Sequence, residues 1–204
     1  MHPEILSKQQ QELLQVIKKF RRNFYLVGGT AIALQIGHRQ SIDFDLFSNN
    51  SLKKRTIHGK LDESKHHRKL IFESNNQIHF LMNSVKLTFF HYPFEIIPDL
   101  DFNGIIKLPS LLDLAAMKTL ALGGRAKWKD YVDLYFLFKD YFTLKQISHH
   151  ALKLFGEARF SSKLFREQLA YYKDINYEEE VIFLPGFKVS DAEIKKFLTE
   201  IALQ

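Results

Sequence analysis

Short blocks of hydrophobic residues, separated by glycines and polar turns, run through the first part of the chain. One block covers residues 24–27, the pair Gly28 and Gly29 follows it, and a second block lies at residues 42–47. Short apolar blocks bounded by turn residues predict strands, whereas the longer apolar segment between them predicts a short helix that ends near Gly37. The predicted order is therefore strand, glycine pair, helix, polar turn and strand.

The second predicted strand carries two carboxylates. Alternation along a strand places Asp43 and Asp45 on one face and Ile42, Phe44 and Leu46 on the other. Like charges this close repel each other unless a cation lies between them. Mg²⁺ is commonly held by one or two carboxylates together with the phosphates of a nucleotide. The bland alternative is that the two acids belong to a solvated strand face.

The glycine pair is suited to bind the phosphates of a nucleotide at such a site. Because Gly28 and Gly29 have no side chain, backbone amides at the start of the helix, including that of Thr30, can approach a phosphate closely. The positive end of the helix dipole then faces the negative charge. Taken alone, the pair is equally compatible with an ordinary tight turn.

The remaining pattern predicts a mixed α/β (α+β) fold, with a mixed sheet and flanking helices in residues 1–108 and a helical half in residues 109–204. An amphipathic helix is expected over residues 4–20 and a basic surface helix over 52–61. Further strands are expected at 69–73, 77–81, 85–90 and 105–108. Capping residues and apolar periodicity predict helices that begin near Ser110, Lys127, Thr143 and Ser190, while residues 171–189 look irregular.

Composition narrows the class of protein. The chain has 204 residues, of which 46% are hydrophobic and 25% charged, as in ordinary globular proteins. It contains no cysteine, which excludes disulfides, thiolate metal ligands and a cysteine nucleophile. Neither a signal peptide nor a membrane-length apolar run is recognisable, so the expected location is the cytoplasm, with no membrane partner.

The net charge of +6 is concentrated in residues 51–70. A stretch of this kind attracts polyanions by steering and by counterion release. Because it directly follows the strand with the two carboxylates, we predict that it contacts RNA, through Lys53, Lys54 and Arg55. A solubilising surface is the alternative.

Together, these residues resemble a known pattern. A hydrophobic strand, a glycine pair and a D-x-D motif characterise the nucleotidyltransferase-fold superfamily, and the segment GGTAIALQIGHRQSIDFDLF resembles the first motif of the AbiEii/AbiGii toxin family. The segment LLDLAAMKTLALGGRAKWKDYVDLYFLF resembles that family's second block. The positions that match it are Lys118, Arg125, Lys129, Asp130, Asp133, Leu134 and Tyr135.

The second block also makes physical sense as a site. Lys118 is the only cation on an otherwise apolar helix, and a lysine in such surroundings needs an anionic partner, a role that a triphosphate could fill. The alternatives are a surface lysine whose head reaches water and, for Lys129 and Asp133, an ordinary ion pair one helical turn apart.

One position departs from the superfamily pattern. A third acid is usual on a later strand, and the register of VKLTFF places that position at Thr88. Threonine can bond a metal-bound water but supplies neither charge nor a base. Acids a few residues further on offer a substitute from a loop: Glu95, Asp99 and Asp101.

The resemblance implies a Mg²⁺- or Mn²⁺-dependent enzyme that transfers a nucleoside monophosphate from an NTP to an acceptor, expected to be RNA such as a tRNA 3′ end. It implies a toxin with a cognate antitoxin in a type IV system. By this resemblance, the helical domain completes the active-site cleft. The implied roles are metal binding and catalysis for Asp43 and Asp45, triphosphate contact for Gly28, Gly29, Thr30, Lys118, Arg125 and Lys129, and catalytic positioning for Lys118 and Asp130.

Two alternatives from other classes stay open. The first is a nucleotide- or RNA-binding module that has lost its chemistry, which the threonine at position 88 motivates. The second is a metal-dependent hydrolase that acts on nucleotides without an acceptor. A shared fold does not by itself distinguish these activities.

Overall fold

The computed structural model describes all 204 residues, which form two compact units, residues 1–110 and 111–204. The first unit begins with a 3-10 helix, Pro3–Ile5, and then combines three helices with seven strands. In chain order these are α1 (Lys8–Lys18), β1 (Tyr25–Val27), α2 (Gly28–Ile36), β2 (Phe44–Ser48), α3 (Lys54–Asp62), β3 (Arg68–Glu73), β4 (Gln77–Met82), β5 (Val85–His91), β6 (Leu100–Phe102) and β7 (Ile106–Leu108).

All seven strands join one mixed sheet in the order β3-β4-β5-β2-β1-β7-β6. Strand β2 lies at its centre, antiparallel to β1 and parallel to β5. The tight connection through α2 returns the chain beside β1, whereas the parallel partner β5 is reached only after α3 and the β3–β4 hairpin. This architecture confirms the predicted α/β fold with a mixed sheet and flanking helices.

Tyr25 and Val27 of β1 are buried on one face of the sheet, but much of the hydrophobic core of the first unit lies on the other face. Phe80 and Phe89 of β4 and β5 are fully buried there, and Phe89 packs 4.8 Å from the ring of Phe20, which follows α1. His58 of α3 meets the ring of Phe80 at 5.2 Å. Helices α1 and α3 therefore cover the same face, and residues that alternate with Phe80 and Phe89 point to the opposite face.

The second unit is helical. Its helices are α4 (Leu111–Gly124), α5 (Trp128–Asp140), α6 (Leu144–Phe155), α7 (Ser162–Leu169) and α8 (Asp191–Ala202). Two of the predicted capping residues are confirmed, because Thr143 and Gln146 form a capping box on α6 and Ser190 accepts a hydrogen bond from the Glu193 amide on α8. Neither unit contains a helix with the length and hydrophobicity needed to cross a bilayer.

One expectation about the elements was wrong, and two elements were not predicted. Ile42 does not belong to the apolar face of β2: the strand begins at Phe44, and Ile42 is 56% exposed. Strand β6 was not predicted, because three residues are too few to show a period of two. Helix α7 was also missed, although Ser161 caps it and Phe165 and Leu169 bury its apolar side.

Candidate functional site

The two predicted carboxylates lie at the start of β2, in the centre of the sheet. Asp43 directly precedes the strand, and Asp45 pairs with Val27 of β1 on one side and with Thr88 of β5 on the other. Asp43 and Asp45 are partly exposed, whereas Phe44 and Leu46 are buried, as alternation predicts. Thr88 thus occupies the position directly beside Asp45, and it is 8% exposed.

Gly28 brings the beginning of α2 against the carboxylate of Asp45. Its φ of +73° lies in the left-handed region, which residues with a Cβ avoid. A Cβ placed on Gly28 would lie 2.5 Å from Asp45 Oδ2, closer than two such atoms can approach. The absence of a side chain is therefore required both for the turn and for the neighbouring carboxylate.

The hydroxyl of Thr30 holds the chain just before β2. It is 2% exposed and contacts both the Ser41 hydroxyl, at 2.8 Å, and the backbone carbonyl of Asp43. Since a hydroxyl has one proton, Thr30 donates to the carbonyl and accepts from Ser41. The Thr30 side chain therefore positions Asp43, while contact of the Thr30 backbone amide with a phosphate stays a prediction.

Arg39 is a candidate residue of this site that the sequence reasoning missed. It lies in the turn between α2 and β2, is 3% exposed, and its guanidinium passes over Gly29, where a Cβ would collide with Nη2. Its Nη1 donates to the Gln40 carbonyl at 2.9 Å. The available signal was the second glycine of the pair, which leaves room for this cation beside the helix start.

The residues present fit a cation held by two carboxylates and a bound phosphate. Asp43 and Asp45 supply hard oxygen ligands, the donor type that Mg²⁺ and Mn²⁺ prefer. The structure contains no group of three or more His, Cys, Asp or Glu side chains arranged to hold a metal. Asp101, one suggested substitute for a third acid, accepts a hydrogen bond from the Gly104 amide in the β6–β7 turn, at the far edge of the sheet from Thr88.

In the second unit, Lys118 lies between two aspartates. Its Nζ is 2.8 Å from a carboxylate oxygen of Asp130 and 2.8 Å from one of Asp133. Lys118 is 4% exposed and both aspartates are fully buried. Helix α5 therefore supplies the anionic partners that the sequence analysis expects for Lys118. Two negative charges lie beside one positive charge.

Three further cations lie near the start of α5. Arg125 Nε lies 3.4 Å from Asp130 Oδ2, and its side chain is 51% exposed. Lys129 and Lys127 both pair with Glu179 from the irregular segment 171–189. Burial raises the pKa of Glu179, but the hydrogen bonds from the two lysines outweigh it and lower the pKa to about 2.

Helix α3, which carries part of the basic stretch, lies on the other face of the sheet from Asp45. Helix α3 packs against Phe80, whereas Asp45 and Thr88 belong to the strand positions that point the opposite way. Lys54 lies 3.4 Å from Glu73, so part of its charge is balanced locally. The predicted RNA contacts line a hollow together with the turn between β3 and β4; its residues include Lys53, Lys54, Arg55, Asn75 and Asn76.

Known proteins resemble this chain in sequence and in fold. A relative, the uncharacterised protein aq_aa25 of Aquifex aeolicus (strain VF5), is 30% identical over 180 residues, which cover 85% of this chain and 86% of the relative. Two solved structures share the fold at low identity. MenT4, the nucleotidyltransferase toxin Rv2826c from Mycobacterium tuberculosis H37Rv, has a TM-score of 0.63 at 15% identity and covers 95% of this chain and 80% of its own. JHP933 from Helicobacter pylori has a TM-score of 0.56 at 16% identity, over 97% and 92% of the two chains.

A family model assigns the chain more specifically. The model described as "Nucleotidyl transferase AbiEii toxin, Type IV TA system" matches residues 12–81 and 88–201. These ranges include the glycine pair and the carboxylates of Asp43 and Asp45 in the first unit. They also include Lys118 with Asp130 and Asp133 in the second unit. The chain therefore belongs to the AbiEii nucleotidyltransferase toxin family of type IV toxin–antitoxin systems.

Proposed function

We propose that the protein transfers a nucleoside monophosphate from an NTP to a hydroxyl of an RNA acceptor. The observation that carries this proposal is the approach of Gly28 to Asp45, which brings amides at the start of α2 and a carboxylate of β2 to one place. Free amides at a helix start bind phosphate, and a carboxylate pair binds the divalent cation that accompanies a nucleotide. Membership of the family supports nucleotidyl transfer as the chemistry.

Each residue of this site has a separate role in the proposed reaction. Asp43 and Asp45 hold Mg²⁺ or Mn²⁺, which when bound neutralises charge on the phosphates. Gly28 and Gly29 present backbone amides to the triphosphate and keep it fixed against the helix start. Thr30 holds the backbone of Asp43. The acceptor oxygen then forms a bond to the α-phosphorus, the bond to pyrophosphate breaks, and the hydroxyl proton is released.

The roles implied for the second unit are retained as proposals with one change of emphasis. Lys118 is neutralised by Asp130 and Asp133, so it offers a phosphate less charge than a lone lysine would. Arg125 is half exposed and is the better candidate to contact an anion from this cluster. Asp130 accepts a hydrogen bond from Lys118, forms an ion pair with Arg125, and would position both cations.

A nucleotide-binding module without transfer chemistry is the second candidate, and Thr88 is the observation that favours it. A neutral residue stands directly beside Asp45, where a third carboxylate would complete a metal site. A cation held by two carboxylates has fewer protein ligands and depends more on the phosphates that it binds. Such a site could bind an NTP and still be slow in transfer.

The experiment incubates the purified protein with Mg²⁺, total RNA and each α-labelled NTP in turn, beside an Asp43→Ala/Asp45→Ala variant. We expect label in one RNA size class with the unchanged protein and none with the variant. The RNA class and the NTP then identify the acceptor and the donor together. NTP binding by calorimetry without label in any RNA would support the binding module and reject the transferase.

An antitoxin is the further partner implied by the family. We propose that it controls the toxin without a required direct contact, as the type IV arrangement implies. Co-expression of the two genes tests this: growth should recover although the two purified proteins do not bind each other. A stable complex of the two would contradict this arrangement.

A further inference from the structure

The row of residues that contains Asp45 continues to the edge of the sheet. Asp45 pairs with Thr88, Thr88 with His79 of β4, and His79 with Phe72 of β3, which is the edge strand. Neighbouring residues in register share a face of the sheet. The rings of Phe72 and His79 are in contact, with centroids 5.7 Å apart. A line of side chains thus runs from the carboxylate to an aromatic pair at the edge.

This part of the sheet is open, unlike the opposite face. Phe72 is 46% exposed and Leu81 is 40% exposed, whereas Phe80 and Phe89 on the covered face are fully buried. Because nearly half of the Phe72 surface stays exposed to water, its ring contributes less to folding than a fully buried phenylalanine does. Exposed aromatic rings beside polar groups are typical of binding surfaces.

The charges on this face favour a polyanion. Lys86 and Lys69 are the strand partners of Leu81 and therefore share its face with His79. Burial lowers the pKa of His79, and Lys86 lowers it further while Asp45 opposes the shift. The lowered pKa favours the neutral form of the imidazole, whose flat ring can stack on a base, while the two lysines supply the positive charge.

We propose that this face, formed by Phe72, His79, Lys69 and Lys86, binds the single-stranded end of a nucleic-acid acceptor. Bases stack on Phe72 and His79, and the lysines contact the backbone phosphates, which is how single strands bind open sheet surfaces. Three strand spacings separate β3 from β2, about 14 Å, which corresponds to about four nucleotides at the axial spacing of a stacked strand. The strand end therefore reaches Asp45. The inference rests on the proposed function, because it assumes that the acceptor is a nucleic acid.

The test measures binding of a fluorescein-labelled single-stranded oligoadenylate, about twelve nucleotides long, by fluorescence anisotropy. Phe72→Ala and His79→Ala should each weaken binding about tenfold, and Phe72→Tyr should restore it. Leu70→Ala is the matched control: Leu70 is on the same strand and 45% exposed, but it pairs with Phe80 and so faces the other way. The Leu70→Ala variant should bind the oligonucleotide with the same affinity as the unchanged protein. Lys86→Gln should reduce the slope of log affinity against log salt by about 0.7.

The outcomes separate this inference from the proposed function. Equal affinities of Phe72→Ala and Leu70→Ala would overturn the stacking surface, and so would a complete absence of oligonucleotide binding by the unchanged protein. If label transfer to RNA occurs and Phe72→Ala leaves the acceptor KM unchanged, the surface is rejected while the enzyme stands. If no NTP is incorporated but the binding pattern appears, the transferase is rejected while the surface stands.

Discussion

Gly28 is the residue on which the geometry beside Asp45 depends most directly. A Gly28→Ala change forces a left-handed backbone on a residue with a Cβ, at a cost of about 1–2 kcal/mol, and pushes the new methyl group into the Asp45 carboxylate. We expect a lower free energy of unfolding and a loss of nucleotidyl transfer larger than the stability change explains. Denaturant unfolding and the transfer assay measure the two effects.

Gly59 provides the matched control for that substitution. It lies inside α3, has no positive φ, and nothing stands within 4 Å of a Cβ built on it. Alanine is the better helix former, so Gly59→Ala should stabilise the protein by about 0.5–1 kcal/mol and leave transfer unchanged. Equal behaviour of the two alanine variants would show that Gly28 has no special role.

Lys118 makes a prediction that separates structural from nucleotide-binding roles. Lys118→Met leaves Asp130 and Asp133 buried around an uncharged side chain, and breaking a buried ion pair in this way costs about 3–5 kcal/mol. The free energy of unfolding should fall by that amount. Lys163→Met, at a lysine that is 84% exposed, should change it by less than about 0.5 kcal/mol. Unchanged stability with a raised KM for NTP would instead assign Lys118 to the nucleotide.

At the level of single residues, the sequence predicted what depends on alternation. The alternation of the buried Phe44 and Leu46 with the partly exposed Asp43 and Asp45, and the position of Thr88 beside Asp45, both follow from a period of two, and the structure has both. The partners of Lys118 did not follow, because helical spacing shows that a lysine lies in an apolar face but not which acid of another helix reaches it. Arg39 was missed for the same reason: only the packed turn shows that it covers Gly29.

Among the elements, the segment 171–189 is held to the start of α5 by Glu179. The lowered pKa of Glu179 means that its contribution to stability is present above its unfolded value, about 4.3, and is lost as the pH falls towards about 2. Glu179→Gln should therefore be less stable than the unchanged protein at neutral pH, with the difference disappearing in acid. Denaturant unfolding across this pH range measures it.

A double-mutant cycle assigns the effect to the lysines. In a Lys127→Met/Lys129→Met background the carboxylate has lost both partners, so Glu179→Gln should produce little further loss. A loss equal to that in the unchanged background would mean that Glu179 stabilises the segment through other contacts.

Helices and strands that are long enough to show a hydrophobic period, or that begin with a clear capping motif, were predictable from the sequence. Short or weakly patterned elements were not. The helix that begins after Thr143 follows from its capping box, and the ends of β5 and α2 agree with the prediction to within one residue. Strand β6 is visible only through its pairing with β7, which is a tertiary contact. Such pairing has no local signal in three residues.

Over the whole molecule, the distribution of charge was a weaker guide to an RNA-binding surface than the hydrophobic pattern was to the fold. The excess of Lys and Arg in residues 51–70 is real, but Arg68 pairs with Asp62 and Lys54 with Glu73, and α3 packs on the covered face of the sheet. Contact of Lys53, Lys54 and Arg55 with RNA remains a prediction. Proximity in sequence to the strand with the D-x-D motif did not show on which face of the sheet α3 packs. The short segment between β2 and α3 is long enough to bring the chain to the face opposite Asp45.

The most direct test of the account is the rate of nucleotidyl transfer in Asp45→Asn. This change keeps the size of the side chain and removes one of the two charges proposed to hold the cation. Since a bound metal supplies several kcal/mol of charge stabilisation, we expect the rate to fall by about a hundredfold or more. Asp140→Asn, which removes an equal charge at the exposed end of α5, should keep the full rate. Transfer that is as fast in Asp45→Asn as in Asp140→Asn would contradict the assignment of the site.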